Sequence, residues 1–354
     1  MLKKAIIAAA LVSCGCRLTP GQTPSPMPKP AASAGAAKAL IDSLAPAEID
    51  ETIRVLKSNF IDPNALKDQE INRATLEGLL GRLHGGAILL ANKDSETTNV
   101  PAPFYSEVLD NHIGYVRIGS LTADNLRELD KALASFETRK VDAIVIDLRA
   151  STWNSDFDVA AEMTKRFVPK EKTLWSLHKT AVRQDRTLTN DRDPSFQGLT
   201  TVLVDGETAG AAEPMAVALK SHARALLIGQ PTAGRAVEYS DFPLASGKTL
   251  RVAVGEVVGT DGHSLFPDGV KPDLPVETPP TQKRQIFALS AQRGIATFVF
   301  ETERPHFNEA ALIAGTNPEL ESRQQRRNSD ENLHDAVLQR AVDVIASIAV
   351  FQRR

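Results

Sequence analysis

Thr201–Ser240 reads TVLVDGETAGAAEPMAVALKSHARALLIGQPTAGRAVEYS. The short apolar run Val202 to Val204 is a strand candidate, Asp205-Gly206 is a turn, and Ala211 to Leu219 is a run of strong helix formers. A second apolar run, Ala225 to Ile228, leads through Gly229, Pro231 and Gly234 to Arg235, then into the alternation of Val237, Tyr239 and Phe242. The order is therefore strand, turn, helix, strand, loop, which predicts an α/β fold with a crossover. A turn of this kind presents backbone N–H groups at a helix N-terminus, where they can hold an anion or a developing oxyanion.

Upstream, Ile113-Gly114-Tyr115-Val116-Arg117-Ile118 reads as a strand, and Thr122 is placed to cap a helix carrying Leu126, Leu129, Leu133 and Phe136 on one face. Ala143 to Leu148 is apolar almost throughout, as expected of a strand covered on both faces. Asp156 to Phe167 predicts another helix, Thr173 to Leu177 a strand, and a polar loop rich in Arg and Asp runs on to Ser195. Downstream, Thr249 to Val258 alternates as a strand, and Gly269-Val270-Lys271-Pro272-Asp273-Leu274-Pro275-Val276 closes the patterned region. A core over 104–280 follows, preceded by a helical subdomain over 38–90 in which Ile49, Ile53, Leu56 and Phe60 recur at helical spacing, Asp62-Pro63 interrupts, and Ile71, Leu76, Leu79, Leu80 and Leu83 resume.

These stretches together resemble the C-terminal processing peptidases, or tail-specific proteases. The resemblance runs from Ile113 to Val276, with weaker support from Asn59-Phe60-Ile61-Asp62-Pro63 in the helical region. It implies a crotonase-like ββα core and a serine peptidase with a Ser/Lys dyad. The family nucleophile lies in Gly-(Ser/Thr)-Ala-Ser-Ala-Ser-Glu, and its base in Gly-Glu-x-Thr-x-Gly-Lys-Gly. Here the first run is Thr208-Ala209-Gly210-Ala211-Ala212-Glu213 and the second is Gly229-Gln230-Pro231-Thr232-Ala233-Gly234-Arg235-Ala236. Gly210 thus stands at the nucleophile position and Arg235 at the base position. The better-known members insert a peptide-binding PDZ domain before the core. Ala91 to His112 is too short for one, since a domain needs at least about 50 residues.

The substitutions decide the expected chemistry. Serine attacks a carbonyl only when a base takes its proton, and a buried lysine can serve because desolvation lowers its pKa. Glycine has no attacking atom, and arginine stays protonated with a pKa above about 12. The family's Asp-Leu-Arg-x-Asn-x-Gly-Gly turn, which supplies an oxyanion N–H, becomes Asp147-Leu148-Arg149 followed by Ala150, Ser151, Thr152, Trp153 and Asn154, without its glycines. The oxyanion donor expected to survive is the backbone N–H of Ala211. Arg235 either pairs with a carboxylate such as Glu213 or Glu238 or contacts a ligand. Thr208 is the only hydroxyl in the turn and is the candidate for a displaced nucleophile, with Lys220 or Lys248 as its base; Ser221 is a weaker candidate. The leading expectation is a non-cleaving relative that keeps a peptide- or ligand-binding groove, as animal retinoid-binding modules of this core do. An active serine-type peptidase and a structural or regulatory partner of an active relative are the alternatives.

The chain ends carry a different message. Lys3 and Lys4 precede the apolar run Ala5 to Val12, too short for the roughly 20 residues that span a bilayer, so 1–13 reads as a signal peptide. Leu11-Val12-Ser13-Cys14 resembles the bacterial lipoprotein signal, which implies lipidation of Cys14 and a location in the cell envelope. Pro20, Pro24, Pro26, Pro28 and Pro30 mark 14–37 as an extended tether. The polar stretch 281–332 reads as a solvated insertion, and 333–354 as an amphipathic helix packing on the domain through Val337, Leu338, Ala341, Val342 and Ile345. With 354 residues, 42% of them hydrophobic, and a net charge of -3, the chain can bury a sizeable core and shows no basic excess for nucleic acid. Its two cysteines, Cys14 and Cys16, lie outside the folded part, and no two of its seven histidines have zinc-ligand spacing. No cofactor or metal is expected.

Overall fold

The computed structural model describes residues 40–91, 102–152, 156–179, 184–299 and 333–352. The signal peptide, the tether, Cys14, and Trp153 and Asn154 of the turn lie outside the described residues. Two compact units divide the chain, residues 1–74 and 75–354.

The first unit holds α1 (Pro46–Asn59), a short 3-10 turn (Pro63–Leu66) and the start of α2 (Asp68–Arg82). Pro46 at N1 and the Glu48 carboxylate, which accepts the Ala45 N–H at 2.7 Å, start α1. The Asp62 side chain accepts from the Asn64 N–H and caps the 3-10 turn that interrupts the helical run. Neither α1 nor α2 buries a single residue.

In the second unit a six-stranded sheet runs in the order β11 (Leu274–Pro275), β8 (Leu226–Gly229), β7 (Leu199–Val204), β4 (Ala143–Asp147), β3 (Ile113–Arg117) and β2 (Tyr105–Leu109). All neighbours are parallel except β2, which pairs antiparallel with β3. Because side chains alternate across a strand, each apolar strand feeds both faces. Val116, Ile144, Ile146, Val202 and Val204 face one core with α3 (Ala123–Thr138), α4 (Phe157–Thr164) and α5 (Ala212–Ala223). Ile113, Tyr115, Val145, Leu203 and Ile228 face a second core, covered by α6 (Pro280–Arg293) and α7 (Ala336–Gln352). Thr122 caps α3, its hydroxyl accepting from the Asn125 N–H. The second sheet, antiparallel, is built on β10 (Thr249–Val258), which pairs with β1 (Ala87–Leu90), β5 (Thr173–Lys179) and β9 (Val237–Pro243), and β6 (Gln184–Thr189) pairs with β5.

Three sequence readings are corrected here. Residues 87–90 are not part of a helical subdomain over 38–90: Ala-Ile-Leu-Leu forms β1 on the edge of β10. A four-residue apolar run has no period of its own, and the available edge decides it. The polar loop after β5 contains β6, held as a hairpin partner. The third correction concerns 281–332, whose first part is no solvated insertion. Helix α6 buries Ile286 and Phe287 with Lys283 and Ser290. Its long polar side chains hide the apolar stripe, and the buried lysine counts as polar until its partners are known; residues 300–332 lie outside the described residues.

One buried charge network ties α7 to the sheet. Arg149, 1% exposed, donates to Asp147 Oδ2 and Asp335 Oδ2, each at 2.7 Å, and the Tyr115 hydroxyl donates to Asp147 at 2.8 Å. Asp335 also accepts the Leu338 N–H at 3.0 Å, so the same carboxylate caps the start of α7. Removing one member of such a set strands the others without solvent. Arg149→Met is therefore expected to cost about 3–5 kcal/mol, read from the denaturant midpoint. Burial would lift the Asp147 carboxyl, but the Arg149 charge and its hydrogen bonds outweigh that and hold it below its ordinary 3.8. Stability from a depressed carboxyl is present above its unfolded pKa and lost as pH falls through the native value. Asp147→Asn should remove that part of the acid limb of the stability–pH curve.

Candidate functional site

The site lies where β4 and β7 end and α5 begins. Parallel strands leave their carboxyl ends open to a crevice, and the connecting turns line it. Two turns do so here, 148–152 after β4 and 205–211 after β7. They are stitched together: the Ala209 N–H donates to the Ser151 carbonyl at 3.2 Å, the Leu148 N–H to Leu203, and the Ser151 hydroxyl to the Gly119 carbonyl at 2.7 Å.

Gly210 stands immediately before the N-cap of α5 with φ +63°. That left-handed conformation is one that only glycine adopts freely, because a Cβ crowds the carbonyl. Ala211 follows at the N-cap, fully buried, and its N–H makes no hydrogen bond among the described residues. Ala211, named from sequence, thus lies at the N-terminus of the helix. Arg235 is exposed, in contrast to the desolvated lysine that a base would require.

Glu213 joins the two halves of the site. It is 0% exposed, and its carboxylate accepts the Thr232 hydroxyl at 2.5 Å, the Gly234 N–H at 2.7 Å and the Arg235 N–H at 2.7 Å. Burial pushes its pKa up, and the donors, the Gly210 N–H among them, pull it back. The predicted partner of the Arg235 guanidinium therefore holds the Arg235 backbone, while Glu238 pairs with Lys179 at 2.8 Å. Thr232 in turn accepts the Val270 N–H at 2.8 Å, which ties the loop to the Gly269-Val270 segment. Gly234, at φ +65°, is so close to that segment that a Cβ would lie 1.9 Å from the Pro267 carbonyl oxygen.

The displaced-nucleophile candidates are not brought together. Thr208 is fully buried; its hydroxyl accepts the Asp205 N–H at 3.0 Å and lies 3.2 Å from the Leu148 carbonyl as donor. A hydroxyl spent on closing a turn has no path to a substrate carbonyl. Lys220 sits near the far end of α5, bonded to Asp273, and the Ser221 hydroxyl accepts from Thr260. Lys248 closes the β9–β10 hairpin, where its carbonyl accepts the Leu244 N–H.

Lys283 is a site residue that sequence reasoning missed. It is 3% exposed, and its ammonium donates to Asp205, to Glu207 at 2.7 Å and to the Arg149 carbonyl at 3.0 Å. One buried cation thereby holds both turns from beneath. Ser151 and Thr232 were also invisible as organisers, since a hydroxyl in a turn carries no signal of its partners. Beside the two turns opens a cavity of about 400 Å³, whose lining includes Ala150, Thr152, Glu207, Lys283, Arg284 and Phe287. Among the described residues no group of His, Cys, Asp and Glu is arranged to hold a metal ion.

Against known proteins, residues 112–276 match the model described as Peptidase family S41. Over these residues the chain is similar to peptidase family S41. The chain is similar to the carboxy-terminal processing protease CtpA of Bacillus subtilis, 29% identical over 176 residues, which cover 49% of this chain and 37% of that protein. It is also similar to a carboxyl-terminal-processing protease of Synechocystis, 26% identical over 167 residues, covering 47% of this chain and 38% of the relative. The match thus spans little more than a third of either relative. Among solved structures, a putative peptidase from Parabacteroides merdae aligns with a TM-score of 0.49 at 14% identity, covering 67% of this chain and 91% of that one.

Two expectations follow for the S41 core. Glu213→Ala leaves buried donors unpaired at about 1–3 kcal/mol each, so it should destabilise the fold by several kcal/mol. Hydrogen exchange should speed up at Gly234 and Arg235 ahead of the rest of the chain. Gly210→Ser forces a side chain into the left-handed region and should cost about 1–2 kcal/mol, measured as a lowered denaturant midpoint with the cooperativity unchanged.

Proposed function

We propose that this chain is an envelope-anchored member of the tail-specific protease family that does not hydrolyse peptide bonds and uses its S41 core to bind a peptide or another ligand. The observation that carries this reading is the pair of substitutions at the two chemical positions. Gly210 offers no atom to attack a carbonyl, and Arg235 is an exposed cation that cannot accept a proton. What remains is a binding apparatus. The buried Ala211 N–H at a helix N-terminus can receive a carbonyl or carboxylate oxygen, and the Arg235 guanidinium offers a charge-assisted contact to an acidic group. The cavity beside turns 148–152 and 205–211 supplies apolar wall. Leu11-Val12-Ser13-Cys14 supports anchoring through a lipid on Cys14, with the domain facing the periplasm or the exterior.

The competing reading is an active serine-type peptidase using Thr208. The buried, hydrogen-bonded hydroxyl of Thr208 speaks against it. Incubation of the purified chain with an unfolded protein distinguishes the two. No cleavage is expected, and no covalent adduct with a serine- or threonine-directed inhibitor. Binding of unfolded peptide, followed by fluorescence anisotropy, should weaken about tenfold in Arg235→Ala, the loss of one charge-assisted hydrogen bond. Cleavage by the native chain that disappears in Thr208→Ala would establish the competing reading instead.

A further inference from the structure

Helix α1 presents an apolar stripe that no other described residue of its own unit buries. Ile49, Leu56 and Phe60 are 40%, 45% and 46% exposed, and Phe60 sits at the C-cap with its N–H on the Leu56 carbonyl. With Ile53 they recur at spacings of four, three and four residues, which are the alternating d and a positions of a coiled-coil seam. A helix of this length is marginal in water without a packed face.

The flanking charges say what would cover it. In that heptad frame the e positions are Asp50 and Lys57, and the g positions are the uncharged Thr52 and Asn59. Two antiparallel helices place e beside e and g beside g. When Ile49 meets Phe60 of a second copy and Ile53 meets its Leu56, all four stripe residues are matched. The same register sets Asp50 of each copy beside Lys57 of the other. A parallel pair would set e beside g, where neither charge finds an opposite. Apolar stripe and charge pattern are thus self-complementary about one two-fold axis, as an isologous contact requires. Lys57 bonds Asp68 within its own chain at 2.6 Å, across a pair exposed at 41% and 85%, and such a surface contact is readily exchanged.

We propose that α1 is a self-association surface: two copies of this chain pair antiparallel through Ile49, Ile53, Leu56 and Phe60, with Asp50–Lys57 contacts on both sides setting the orientation. Sedimentation velocity on the chain with Cys14→Ser and Cys16→Ser, so that no thiol joins copies, tests it from micromolar to hundred-micromolar concentration. The native α1 should give a monomer–dimer equilibrium that weakens with salt. Asp50→Lys and Lys57→Asp each convert two attractive contacts into repulsive ones, and each alone should weaken the dimer about tenfold. The double variant Asp50→Lys/Lys57→Asp should regain the native constant. An equimolar mixture of the two single variants should form heterodimers preferentially, because their charges are then opposite at both contacts. Circular dichroism checks that these exposed substitutions leave the fold intact. A chain that stays monomeric throughout overturns the proposal. Single variants that dimerise as the native chain does also overturn it and would place the interface elsewhere.

Discussion

A carboxylate with no access to water has to be surrounded by donors, and Glu213 is surrounded by segments that are far apart in the chain. Thr232, Gly234 and Arg235 come to it from the loop after β8, and Gly210 from the turn before α5. Through Thr232 the Gly269-Val270 segment joins the same point. A buried ion stays tolerable only while every oxygen is satisfied. The three stretches that carry the family resemblance are therefore bound into one object whether or not catalysis takes place there. This accounts for a frame that holds together around Gly210 and Arg235.

Two sets of polar side chains share the work of holding the site. Lys283, Asp205 and Ser151 hold the turns in position from below, and Glu213 fixes the opposite loop. None of them offers a free nucleophile or an unpaired base. The lysine buried at the site, Lys283, donates to two carboxylates and a carbonyl. The polar side chains of both turns are committed to holding their geometry.

Much of this was legible from sequence. The crossover over 201–229, the doubly covered strand over 143–148 and the Thr122 cap rest on local periodicity and turn chemistry, which a single sequence displays. The position of Gly210 before a helix and the permanent charge of Arg235 follow from residue type alone. What escaped depended on partners remote in the chain. Lys283 is buried because Asp205 and Glu207 wait for it some eighty residues away, so its polar character pointed the wrong way. Glu213 gathers the Thr232 hydroxyl and the Gly234 and Arg235 amides, a set of partners with no signature in a single sequence. The run over 87–90 became a strand only because β10 had an edge to offer.

The docking of α7 through Asp335 has a consequence for the order in which this protein can mature. One face of the six-stranded sheet, with Tyr115 and the Arg149 guanidinium on it, is closed by α6 and α7. A chain delivered N-terminus first keeps that apolar face open, and its buried arginine short of a counter-ion, until the segment beyond residue 333 arrives. Without that segment the second core stays incomplete and the apolar side chains it would cover are left open to water.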